Sequence, residues 1–138
     1  MKKLRTALLL LLLAAGTAGK SQDKQPMPGQ SDAPKLVAVI NRAAWCAVCK
    51  ENGPRVSANL MKYMQKGLTV LMNDLTDSKT SAASKADLQN ADLYNAVAKT
   101  KETGVISFVN PVNHRLLKKL SLTVSDAEMK QTVETLLK

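Results

Sequence analysis

The chain has two cysteines, Cys46 and Cys49, and they sit together in "AAWCAVCKENGP" beside its one tryptophan, Trp45. Three kinds of chemistry use such a pair: a structural cross-link, half of a metal site, or a redox couple. A bridge across so short a loop removes little unfolded-state entropy, on the order of 2 kcal/mol by the chain-entropy relation. That is a weak reason to place both cysteines here. A closed zinc site wants four ligands, whereas this chain offers one pair and one histidine, His114, in a predicted turn. No metal site is therefore expected, and His114 reads as a solvated turn residue. A redox pair needs a thiolate that attacks and a second thiol close enough to resolve the mixed disulfide. The spacing supplies the second thiol, one helical turn from the first.

The surrounding elements decide whether the thiolate is available. "LVAVI" (Leu36–Ile40) is a continuous β-prone run, the pattern of a strand covered on both faces. After Cys49, the residues Val56, Leu60, Tyr63 and Met64 fall at helical spacing, and Gly67 closes that helix. The pair thus stands where a first strand gives way to a first helix. Unsatisfied N–H groups and the positive end of the helix dipole there favour a thiolate and lower its pKa.

"LTVLMN" (Leu68–Asn73) predicts a second buried strand, and "TDSKTSAASK" (Thr76–Lys85) reads as a long polar loop. A helix is expected from about Lys85 to Lys99, with Leu93, Tyr94, Val97 and Ala98 inward. "VISFV" (Val105–Val109) and "RLLKKLSL" (Arg115–Leu122), joined by "NPVNH", predict an antiparallel hairpin whose lysines mark an edge strand. "SDAE" at Ser125–Glu128 is a capping box, and Met129, Val133, Leu136 and Leu137 give the last helix one apolar face. The order is β-α-β-α-β-β-α, an α/β fold with a central mixed sheet of about four strands and helices on both faces. Its first two strands should be parallel, since a helix connects them.

The first residues bear on compartment. "MKKLRTALLLLLLAAGTAGKS" has a basic start, an apolar run from Ala7 to Ala15 and a small-x-small site at Gly16-Thr17-Ala18. The run is shorter than the roughly 18 apolar residues a spanning helix needs, and it matches a cleaved secretory signal. Residues 1–18 are read as that signal, 19–34 as a proline-rich flexible linker, and 35–138 as one domain. The mature chain is expected in the periplasm or secreted, without a membrane span. The formal charge is +9, but the lysines are dispersed. Trp45, Tyr63, Tyr94 and Phe108 are too few to stack on nucleic acid, so none is expected as a partner.

Trp45-Cys46-Ala-Val-Cys49-Lys50, preceded by a strand and followed by a helix, resembles the motif of the thioredoxin family. Pro54 matches the proline that kinks the family's first helix, an expensive residue there without a reason. "CKE" and "NDLTD" are also similar to the C-terminal domains of bacterial periplasmic thiol:disulfide interchange proteins. The resemblance covers 35–138 in element order and is specific only around the motif. It implies that Cys46 is the exposed attacking thiolate and Cys49 the buried resolving thiol. It also implies substrate contact at Trp45, Ala47, Val48 and Val105.

Three positions depart from the family. Ile40 stands where efficient reductases carry a buried aspartate, and Met72 where a lysine often partners it. The family's cis-proline facing the cysteines is missing; either Ile106 or Gly104 takes its place. Nothing in "KETGVISFV" would hold a strained cis bond, so every peptide bond from Glu102 to Val109 is expected to be trans. A proline installed at the true family position is expected to improve protein-disulfide reduction.

The reading is an exported thiol:disulfide oxidoreductase, working as a monomer on protein thiols and disulfides and supplied by an upstream redox partner. It needs no separate cofactor, because the Cys46–Cys49 disulfide carries the two electrons. The rival is a thioredoxin-like binding module, for a metal or a partner protein, with little or no turnover. Ala47 and Val48 between the cysteines leave the direction of electron flow open.

Overall fold

Strand β1 (Leu36–Arg42) lies at the centre of the computed structural model, which describes residues 33–138. The signal peptide read over 1–18 and all of the 19–34 linker except Ala33 and Pro34 lie outside the described residues. Six of the seven β1 residues are buried, because the strand is covered on both faces. Helix α1 (Ala47–Met61) follows and ends in a 3-10 turn, Met64–Lys66, closed by Gly67 at φ 99°. That left-handed conformation suits glycine and sends the chain into β2 (Leu68–Asp74). β2 runs parallel to β1, with Ile40 opposite Met72.

Helices α2 (Ser78–Asn90) and α3 (Tyr94–Val97) come next, then β3 (Val105–Val109), β4 (Leu116–Ser121) and α4 (Asp126–Leu136). β3 pairs antiparallel with both β1 and β4, so the sheet order is β2-β1-β3-β4. The expected mixed sheet, element order and edge strand are all present.

Alternation along the strands divides the core. Ala38, Ile40, Ile106 and Phe108 face α1 and α4, meeting Val56, Leu60, Met129 and Val133. Val37, Val39 and Val109 face the other way, against Leu88, Leu93 and Val97 of the α2–α3 segment. Arg55 fastens α1 to the chain entering α4. Its Nη2 donates to the Leu122 and Val124 carbonyls at 2.9 Å each, and its Nη1 pairs with Asp126.

One stretch departs from the sequence reading. The polar segment taken as a loop over Thr76–Lys85 is mostly the first half of α2. The Asp77 carboxylate accepts the Thr80 N–H at 2.8 Å, and the Thr80 hydroxyl oxygen accepts the Asp77 N–H at 3.2 Å, a reciprocal cap. α2 buries only Ser84 and Leu88, so it carries almost no apolar period to read. The helix expected over 85–99 is broken at Ala91–Leu93, where Asp92 takes φ 56°. Leu93 and Val97 are buried as expected, while Tyr94 and Ala98 are only partly covered.

Candidate redox site

Cys46 is the N-cap of α1, with extended backbone, and its Sγ accepts the Cys49 N–H at 3.2 Å. Sulfur thus takes the place of a capping oxygen and satisfies one of the orphan donors of the helix start. A thiolate at this atom would keep that hydrogen bond and gain from the helix dipole. In the structure the two cysteines are joined as a disulfide, with Cα atoms 5.2 Å apart.

The segment before the pair is held by a polar chain. Arg42 pairs with Asp74 at 3.4 Å. The Asp74 carboxylate accepts from both the hydroxyl and the N–H of Thr76. The Thr76 hydroxyl oxygen accepts the Ala44 N–H at 2.9 Å, and its carbonyl accepts the Trp45 indole N–H at 3.2 Å. The Thr76 hydroxyl bond chiefly holds the Asp74 carboxyl below its usual range; partial burial opposes this, and the Thr76 N–H and Arg42 add to it. Trp45 is thereby fixed by its polar edge while 64 % of its surface stays exposed.

A second set of bonds places the backbone opposite the cysteines. Asn41, fully buried at the end of β1, donates from Nδ2 to the carbonyls of Thr100 (2.9 Å) and Glu102 (3.1 Å). Its Oδ1 accepts from Asn73 of β2 at 2.9 Å, and its own carbonyl accepts the Gly104 N–H at 2.8 Å. Gly104, at φ 77°, stands directly before β3. A Cβ there would lie 3.2 Å from Val48 Cγ1 and 3.7 Å from Cys46 Sγ. Ile106, by contrast, is wholly buried between α1 and α4. Gly104 is therefore the residue that faces the pair. No cis peptide bond occurs among the described residues, in agreement with the trans expectation for Glu102–Val109.

Of the residues expected to contact substrate, Trp45, Ala47 and Val48 are exposed beside the disulfide and Val105 is partly covered next to Gly104. As whole residues, the cysteines depart from the expected exposure. Cys46 is 6 % exposed, with Gly104 beside its sulfur, whereas Cys49 is partly buried and packs against the core. Cys49 opens into a groove of about 490 Å³ whose walls include Ile40, Pro54, Met72 and Leu122, with Arg42 and Lys50 at the same groove. Ile40 and Met72, the substituted family positions, are register partners on this wall. The groove lining contains no carboxylate. Among the described residues no three His, Cys, Asp or Glu side chains converge as metal ligands.

Asn41 escaped the sequence reading, and Asn73, Asp74 and Thr76 entered it only within stretches such as "NDLTD", with no role at the site. The bonds made by their side chains reach 32 to 61 residues away, apart from the local Asp74–Thr76 contact, and no local spacing announces them.

A β-α-β-α-β-β-α chain with a cysteine pair opening its first helix has the thioredoxin-like fold. Among solved structures it is similar to a candidate thioredoxin from Neisseria meningitidis, at 15 % identity and TM-score 0.53, covering 75 % of each chain. It is also similar to dsbF of MTB in its mixed oxidised and reduced forms, at 16 % identity and TM-score 0.50, covering 75 % of this chain and 82 % of that one. At these identities the likeness is one of fold. No protein-family model and no curated protein sequence matches the chain.

Proposed function

We propose that the protein is an exported thiol:disulfide oxidoreductase that exchanges disulfides with protein substrates through Cys46 and Cys49. The observation that carries this is the Cys46 sulfur acting as the cap of α1 while bonded to Cys49. In the dithiol form, a Cys46 thiolate held by the Cys49 N–H attacks a substrate disulfide, and Cys49 then displaces the reduced substrate. The apolar surface of Trp45, Val48 and Met72 around the pair suits contact with a protein chain. No metal or organic cofactor enters, since the cysteine pair holds the two electrons, and an upstream redox protein resets it. The chain acts as a monomer in the periplasm or outside the cell. No helix among the described residues is long and apolar enough to cross a membrane.

Insulin reduction in the presence of dithiothreitol tests the reading. Turnover that disappears in Cys46→Ser is expected. Silence of the native protein, with the disulfide intact, would instead favour a binding module.

A further inference from the structure

We infer that the end of the sheet remote from the cysteines docks on an anionic phospholipid surface, with the Pro111–Val112 turn entering the headgroup layer. This goes beyond the proposed redox role and does not depend on it.

The topology gathers what the sequence keeps apart. β1 and β2 run parallel and start together, with Leu36 opposite Leu68. β3 finishes at this same end, where Val37 meets Val109, and β4 starts there, where Val109 meets Leu116. Three segments therefore meet: the chain entering β1, the turn from α1 into β2, and the turn joining β3 to β4. Cys46 follows the opposite end of β1, after Arg42.

The meeting point is apolar. A groove of about 370 Å³ opens there, lined by Pro34, Leu71, Leu93, Pro111 and Val112 among others. Val112 is 87 % exposed, and Leu116, at the start of β4, is 42 % exposed. A valine at a turn tip gains nothing from water, but it does gain from burial at the boundary of headgroups and acyl chains.

The charges around it are mostly positive. Lys35, Lys62, Lys66 and Arg115 are exposed, and none of the four pairs with a carboxylate among the described residues. The stem of Lys35 packs on Gly67, which brings it beside the turn that carries Lys66. Two acidic residues also sit at this end: Asp92 at the α2–α3 break, and Glu134, which accepts from the Tyr63 hydroxyl at 3.4 Å. From Gly104 to Ser125 the chain has no acidic residue at all. Exposed cations beside an exposed apolar tip complement a negatively charged leaflet.

Other polyanions fit less well. Nucleic acid would use the cations but not the apolar tip, and both tyrosines, Tyr63 and Tyr94, are at least partly buried and closed to stacking. An acidic protein would need a hollow shaped to the turn, whereas a fluid interface takes any projecting side chain. Docked in this way, the protein holds its cysteine end away from the lipid and open to protein substrates.

The exported chain, residues 19–138, would be co-sedimented with vesicles of mixed phosphatidylglycerol and phosphatidylcholine, and with vesicles of phosphatidylcholine alone. Binding to the mixed vesicles only is expected. Arg115→Gln and Lys66→Gln should each weaken it roughly fivefold, and Val112→Ser roughly threefold to tenfold. Lys79→Gln, at the start of α2 and the cysteine end of the sheet, should leave it unchanged. Urea midpoints check that each variant is folded. Equal binding to the uncharged vesicles, or equal loss in Lys79→Gln, would overturn the inference. So would equally tight binding to soluble polyphosphate with no effect of Val112→Ser on the vesicles.

Discussion

Cys46 and Cys49 are chemically identical residues made unequal by one hydrogen bond: the Cys49 N–H points at the Cys46 sulfur. In the reduced protein, Cys46 should therefore alkylate at a pH below the roughly 8.5 at which a free thiol ionises. Faster alkylation of Cys49 across the pH range would contradict this assignment. For the same reason Cys49→Ser should accumulate mixed disulfides with protein substrates, and Cys46→Ser should not; gel capture under non-reducing conditions reads the difference. A further residue-scale effect is acid dependence at Asp74. Its folded-state pKa is lowered from 3.8, so its network stabilises the fold fully above that value. The contribution is lost as pH falls through the lower, folded-state value. Trp45 hangs from Thr76, which Asp74 orients. Its fluorescence should shift in the acid limb, and Asp74→Asn should show the shifted signal already at neutral pH.

At the scale of elements, the 100–104 segment is placed over the disulfide by a strand, through Asn41. Asn41→Ala would strip partners from the buried Thr100 carbonyl and the Asn73 amide, as well as from the Glu102 carbonyl. A loss of about 1–3 kcal/mol is expected from unmade buried hydrogen bonds, measurable by urea unfolding. Proline was expected to improve protein-disulfide reduction at whichever of Ile106 and Gly104 holds the family position. At Gly104 the N–H bonds the Asn41 carbonyl and φ is 77°. Proline has no N–H and requires φ near −65°. Gly104→Pro should instead destabilise the protein by at least about 1 kcal/mol and displace the segment beside Cys46. Insulin assays and urea midpoints on this variant separate the two outcomes.

For the whole molecule, the disulfide closes a loop inside one helix turn and adds little to global stability. Oxidised protein should exceed reduced protein by no more than about 2 kcal/mol by the chain-entropy relation. Paired urea curves with and without a phosphine reductant give this difference. A much larger gap would mean that reduction also frees the Gly104 segment. The core on both faces of the sheet should be unaffected, since neither face depends on the bridge beyond the partial packing of Cys49.

Several features were legible in the chain alone because they are local. The apolar runs of β1, β2 and β3, the periodic faces of α1 and α4, and Cys-x-x-Cys at a strand-to-helix junction all depend on neighbours within one element. The first half of α2 was read as a loop because its inward face there is small and polar, although the Asp77-x-x-Thr80 cap was there to read. Whether Ile106 or Gly104 faces the cysteines was undecidable in sequence, because either fits the alternation. The register of β3 against β1 and the Gly104–Asn41 hydrogen bond settle it. How deeply each cysteine residue is buried was likewise closed to sequence reasoning. It depends on the Gly104 segment, held by a buried asparagine, and on the groove that Ile40 and Met72 line with Cys49. Bonding between distant segments is set by packing, and only the folded chain brings those segments together.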